Sequence, residues 1–196
     1  MPGPNTDDAV WIVESDGDRL KVPATIAAVR ESLDPGQLAA FDREVEHTAG
    51  NHLDRLLLRW GLPAPVMAGP GMADRVETGS LDGFARTADG ELVAFTPVPS
   101  ERPDTGVAAT WGMSMPDGRR VRRPATVAGI REALDRERRA GFDAEIPHVA
   151  GHRLFQQLVQ WATPPEAAAE IDAEGDRVRS GDCTGVTSSD APQGDL

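Results

Sequence analysis

Pro23-Ala24-Thr25-Ile26-Ala27-Ala28-Val29-Arg30-Glu31-Ser32-Leu33-Asp34 returns 101 residues later as Pro124-Ala125-Thr126-Val127-Ala128-Gly129-Ile130-Arg131-Glu132-Ala133-Leu134-Asp135. The match continues without a gap to Pro63 and Pro164, and nineteen of its forty-one positions are identical. They include Phe41/Phe142, Asp42/Asp143, Glu44/Glu145, His47/His148, Gly50/Gly151 and Trp60/Trp161. Chance does not produce such a match within one chain, so the sequence reads as one module written twice. A chain of 196 residues then divides into two units of roughly 80 to 100 residues each.

Each copy opens on a hairpin signal. Val10–Glu14 and Arg19–Val22 flank Asp16-Gly17, while Trp111–Met115 and Arg119–Val121 flank Asp117-Gly118, and Asp-Gly favours tight primed turns. The copies are offset by one residue around Trp11 and Trp111, so the turn lengths are expected to differ. Three short helices follow. Ile26, Val29 and Leu33, matched by Val127, Ile130 and Leu134, recur at i, i+3, i+7 as one apolar stripe. Asp34-Pro35-Gly36-Gln37 starts the second helix, with Asp as N-cap, Pro at the first position and Gln reaching back. That helix carries Leu38, Phe41 and Val45, with Phe142 and Ile146 as counterparts, and Pro147 ends or kinks the second copy early. After breaks at Gly50 and Gly151, the third helix carries Leu53, Leu57 and Trp60, or Leu154, Leu158 and Trp161. The expected fold class is α+β: a tandem duplication of a β-hairpin followed by three short helices, each copy completing its own core.

The expected organisation is a first module over 1–63, a Pro/Gly-rich linker over 64–107, a second module over 108–165, and an extended, flexible acidic tail over 166–196. A weaker echo, Arg75-Val76-Glu77-Thr78-Gly79 against Arg177-Val178-Arg179-Ser180-Gly181, indicates that the repeated unit reaches past the helices.

Net charge is −12, with −8 on residues 1–100 and −4 on 101–196. Such a chain repels nucleic acid as a whole and favours basic partners. No apolar stretch approaches the roughly 20 residues that span a bilayer, and the N-terminus lacks the features of a signal peptide. The single cysteine, Cys183, supports neither a disulfide framework nor a thiolate metal site. A cytoplasmic protein without membrane contact is the expectation, its oligomeric state open.

No catalytic, metal or cofactor motif emerges. His148 and His152 have zinc-ligand spacing, but Pro147 and Gly151 disturb the helix that would align them, and the other copy has His47 and His52 five apart. Asp42, Glu44 and Glu46, with Asp143 and Glu145, read as solvated helix faces rather than acid/base pairs, with Arg30 and Arg131 available to pair with them. Gly79-Ser80-Leu81-Asp82-Gly83 lacks the context of a nucleophile elbow. Residues 119–139 hold eight arginines against three acids, and Arg119, Arg120, Arg122, Arg123, Arg136, Arg138 and Arg139 form a candidate nucleic-acid patch. The first copy has no such excess, so the patch also reads as a complement to the acidic tail.

The Trp-bearing hairpin, Pro124-Ala125-Thr126, Phe142-Asp143-Ala144-Glu145, Trp161 and the 177–185 segment, with their first-copy partners, resemble small actinobacterial proteins on the antitoxin side of toxin–antitoxin pairs with RelE/ParE-type toxins. The resemblance implies a non-enzymatic protein whose folded part dimerises or binds operator DNA while a tail lies along a basic toxin. The tandem copy departs from that pattern: it would stand in for a homodimer, or mark one copy as having drifted. On this reading Glu170, Ile171, Asp172, Glu174, Asp176, Val178, Asp182 and Val186 contact the basic partner, and no cofactor is needed. The alternatives are a DNA-binding regulator using the arginine patch, or an enzyme without a recognisable motif.

Overall fold

The computed structural model describes residues 10–15, 18–78, 83–86, 92–95, 109–114 and 119–180. In the first half, β1 (Val10–Ser15) and β2 (Asp18–Pro23) precede α1 (Ile26–Ser32), α2 (Pro35–His47), a 3-10 turn (Gly50–His52) and α3 (Leu53–Gly61). Then come α4 (Ala64–Met67), α5 (Met72–Thr78), β3 (Gly83–Arg86) and β4 (Leu92–Phe95). In the second half, β5 (Thr110–Ser114) and β6 (Arg120–Pro124) precede α6 (Val127–Ala133), α7 (Arg136–Glu145), a 3-10 turn (Ile146–His148), α8 (Gly151–Ala162) and α9 (Pro165–Arg179). The class is mixed α+β, predominantly helical.

Local chemistry explains most of these boundaries. Thr25 and Thr126 start α1 and α6, their hydroxyls accepting from Ala28 N and Gly129 N at 3.1 Å. Gln37 reaches back to accept from Asp34 N at 3.1 Å, as its spacing predicts. Pro147 leaves α7 shorter than α2 and turns the chain into a 3-10 segment. The β1–β2 ladder closes at Ser15↔Asp18 and the β5–β6 ladder at Ser114↔Arg120, so the connections do differ in length. The Asp-Gly turns themselves lie outside the described residues.

Two expectations change. The 64–107 stretch is more than a linker: Met72 and Val76, four apart on α5, are buried, and α5 packs on α3. The strand β3 adds antiparallel to β1, giving a four-stranded sheet of order β2-β1-β3-β4. Residues 166–179, expected to be extended, continue Pro165 as the helix α9, in keeping with proline at the first helical position and a run of good helix formers in Glu-Ala-Ala-Ala-Glu.

The two halves do not complete separate cores. Phe41, Leu53 and Leu57 of the first half and Phe142, Leu154 and Leu158 of the second are fully buried in one continuous cluster. Burying side chains of this kind stabilises by about 1.5–3 kcal/mol each. The exchange is reciprocal: Gly50 N donates to Ala125 O and Gly151 N to Ala24 O, both at 2.7 Å. At each crossing an indole from the other half occupies the space a side chain would need. A Cβ on Gly151 would lie 2.4 Å from Trp11, and one on Gly50 would lie 2.9 Å from Trp111. These glycines permit close approach, and the helix breaks follow from it.

Candidate functional site

Where α1 and α2 meet α6, α7 and the Ile146–His148 turn, a groove of about 710 Å³ opens between the halves. Its floor is apolar: Ile26, Leu33, Leu38, Val45, Val127 and Ile146. Its walls are charged. Arg30 Nε donates to Asp42 at 3.0 Å, and Arg131 Nε donates to Asp143 at 2.6 Å. Arg131 also reaches across the halves to Glu46, its Nη1 lying 2.7 and 2.6 Å from the two carboxylate oxygens. No such bond forms at Arg30, because Pro147 stands 101 residues after Glu46. With Glu31 exposed at the rim, four carboxylates face two guanidiniums, leaving two surplus negative charges.

The Asp42 hydrogen bond and charge raise the Arg30 pKa. At Arg131 burial pulls the pKa down, but bonding to Glu46 and Asp143 outweighs it and the net shift is upward. Both arginines therefore stay cationic. Outside the groove, burial raises Asp54 and lowers His52 and His152, and nearby Arg55 and Arg153 lower the two histidines further.

The acids read as solvated faces have structural partners. Glu44 accepts from the Trp60 indole at 2.9 Å and Glu145 from the Trp161 indole at 3.2 Å, while each ring meets Phe41 or Phe142 edge-on at 5.7 Å. The carboxylates thus supply the polar partner that each partly buried indole requires. Among the described residues no group of three or more His, Cys, Asp or Glu could hold a metal.

The arginine patch is only partly displayed. Arg120 and Arg122 are exposed on β6 and Arg136 on α7, whereas Arg123 is half-buried. Arg138 lies over the Trp161 ring and donates to Trp161 O at 3.1 Å, capping α8. Arg139 donates to Arg131 O and Leu134 O, each at 3.1 Å, capping α6. Of the expected partner-binding residues, Glu170, Ile171, Asp172, Glu174, Asp176 and Val178 share α9, where Asp172 and Asp176 are exposed and Asp176 pairs with Arg179 at 2.8 Å. Asp182 and Val186 lie outside the described residues.

No family model, curated protein or solved structure matches the chain. No helix among the described residues is long and apolar enough to cross a membrane.

The groove is not visible in the sequence because its walls come from both halves of the chain. A signal was nonetheless present. Glu46/Pro147, Gln37/Arg138 and Leu38/Arg139 are among the positions at which a charge exists in one half alone on otherwise matched helices.

Proposed function

We propose that this chain is a cytoplasmic, non-enzymatic protein-binding module of antitoxin type. On this reading it is a tandem duplication in which two copies joined in one chain stand in for a homodimer and neutralise a basic protein partner. The observation that carries the proposal is α9. This helix is anchored by buried Ala167 at its first turn and exposes Asp172 and Asp176 beyond it. Its five acids outnumber its two arginines. An exposed acidic helix steers a basic protein at long range and binds it more weakly as salt rises. Arg138 and Arg139 engage helix carbonyls, which narrows the nucleic-acid reading to the exposed Arg119, Arg120, Arg122 and Arg136.

The test is affinity capture from the native host with the full chain and with an Asp172→Lys/Asp176→Lys variant. The expected result is a strongly basic protein retained by the first, released by salt, and lost from the second. Equal retention by both would remove α9 from the binding surface, and retention of no basic protein would overturn the proposal.

A further inference from the structure

Resting on the reading of a basic protein partner, we propose that the first half carries a guanidinium-binding subsite at the C-terminal end of α1, filled by an arginine of that partner. The second half contains the filled version. There Arg139 bridges Arg131 O and Leu134 O, carbonyls of the last turn of α6 that no further helical turn satisfies and that carry the negative end of the helix dipole.

The first half repeats the receptor and omits the occupant. Leu33 ends α1 with φ −87° and ψ 149°, and Leu134 ends α6 with φ −83° and ψ 145°, so the two sets of carbonyls are presented alike. The residue 101 positions before Arg139 is Leu38. Among the described residues no side chain donates to Arg30 O or Leu33 O, and the backbone supplies only a 3.4 Å contact from Leu33 N to Arg30 O.

The surroundings select the ligand. The subsite lies at the edge of the shared groove, where half-buried Leu33 and Leu38 offer an apolar bed for an aliphatic stem. Exposed Glu31 and the surplus carboxylates of the groove favour a cation and oppose a carboxylate or phosphate. The guanidinium fork bridges two carbonyls, as Arg139 does, whereas an ammonium acts as a compact point charge. Arginine is therefore favoured over lysine.

Titration of the isotopically labelled full chain with N-acetyl-arginine amide, followed by amide NMR shifts, tests this directly. The neutral isostere N-acetyl-citrulline amide and the lysine analogue serve as controls. In the unmodified chain, arginine amide should shift residues 30–38 and saturate at one site, with citrulline inactive and lysine weaker. Leu38→Arg installs the occupant that the second half already carries, and should weaken probe binding about tenfold or more. Arg139→Leu should create a second responsive site around residues 131–134, an independent gain of binding should Leu38→Arg fail to fold. Equal responses to arginine and lysine spread over the acidic surface, unchanged binding by Leu38→Arg, or no new site in Arg139→Leu would overturn the subsite. If the probe binds at 30–38 but no basic protein is captured from the host, the subsite stands and the partner reading falls. If a basic protein is captured equally by the chain and by Leu38→Arg, the partner reading stands and the subsite is not used for it.

Discussion

Gly151→Ala tests the reciprocal packing at its tightest point. The new methyl would lie 2.4 Å from Trp11 Cζ2, 2.7 Å from Cη2 and 3.2 Å from Ala24 O. Trp11 is only 1% exposed, so its ring cannot move into solvent, and Gly151 N is held to Ala24 O at 2.7 Å. Overpacking of this kind costs about 1–3 kcal/mol. Replacing glycine by alanine in a helix returns up to about 1 kcal/mol, and less at the first helical position, so a net loss of about 1–2 kcal/mol is expected. Gly50→Ala is the internal comparison. Its methyl meets Leu158 and Trp111 at 2.9 Å, and Trp111 is only half-buried and can give way, so the loss should be smaller. Gly36→Ala meets nothing within 4 Å at an exposed position of α2 and should stabilise by about 0.5–1 kcal/mol. Urea unfolding followed by tryptophan fluorescence and circular dichroism should rank Gly36→Ala above the parent and Gly151→Ala lowest, with the two probes coincident. A neutral Gly151→Ala, or two separated transitions of which it moves one, would refute the shared core.

Phe41→Ala and Phe142→Ala remove fully buried rings and should each cost about 3–5 kcal/mol in the same urea assay. Arg131→Ala breaks the bond between the halves at Glu46 and should cost about 1 kcal/mol, less in high salt because the side chain is one-third exposed. Arg30→Ala, which loses Asp42 alone, should have the smaller effect on the urea midpoint. His52 and His152 titrate below their ordinary value of about 6.5 in the folded chain, so the unfolded chain takes up protons first. Their contribution to stability should be intact above that value and decline as pH falls towards the folded values. A His52→Gln/His152→Gln variant should flatten the slope of urea midpoint against pH over that range.

Short-range chemistry was legible in the repeated stretches. The helical stripes located Val29, Phe41 and Leu57 in the core, Asp34-Pro35-Gly36-Gln37 marked the start of α2, and Pro147 explained the early end of α7. Each feature depends on contacts within a turn or two, which the order of residues displays directly. Within 64–107, α5 is hard to see in the sequence because Pro and Gly surround it and the i, i+4 spacing of Met72 and Val76 sits on a helix too short for its periodicity to stand out. Trp60 with Glu44 and Trp161 with Glu145 were recognisable as residues but not as pairs, since each joins positions sixteen apart on different helices.

The repeat by itself determined what each unit contains: the hairpin, the apolar stripes and the capped helix starts. It did not determine which half each stripe would face, because two matched apolar stripes satisfy their burial equally well within one half or across two. Tertiary structure decided that by shape. Trp11 lies on Gly151, Trp111 lies on Gly50, and Arg131 reaches Glu46, so the cores merge and the groove forms between them. Once the halves share that groove, single differences such as Leu38 against Arg139 acquire meaning, because the same backbone carbonyls are covered in one half and open in the other.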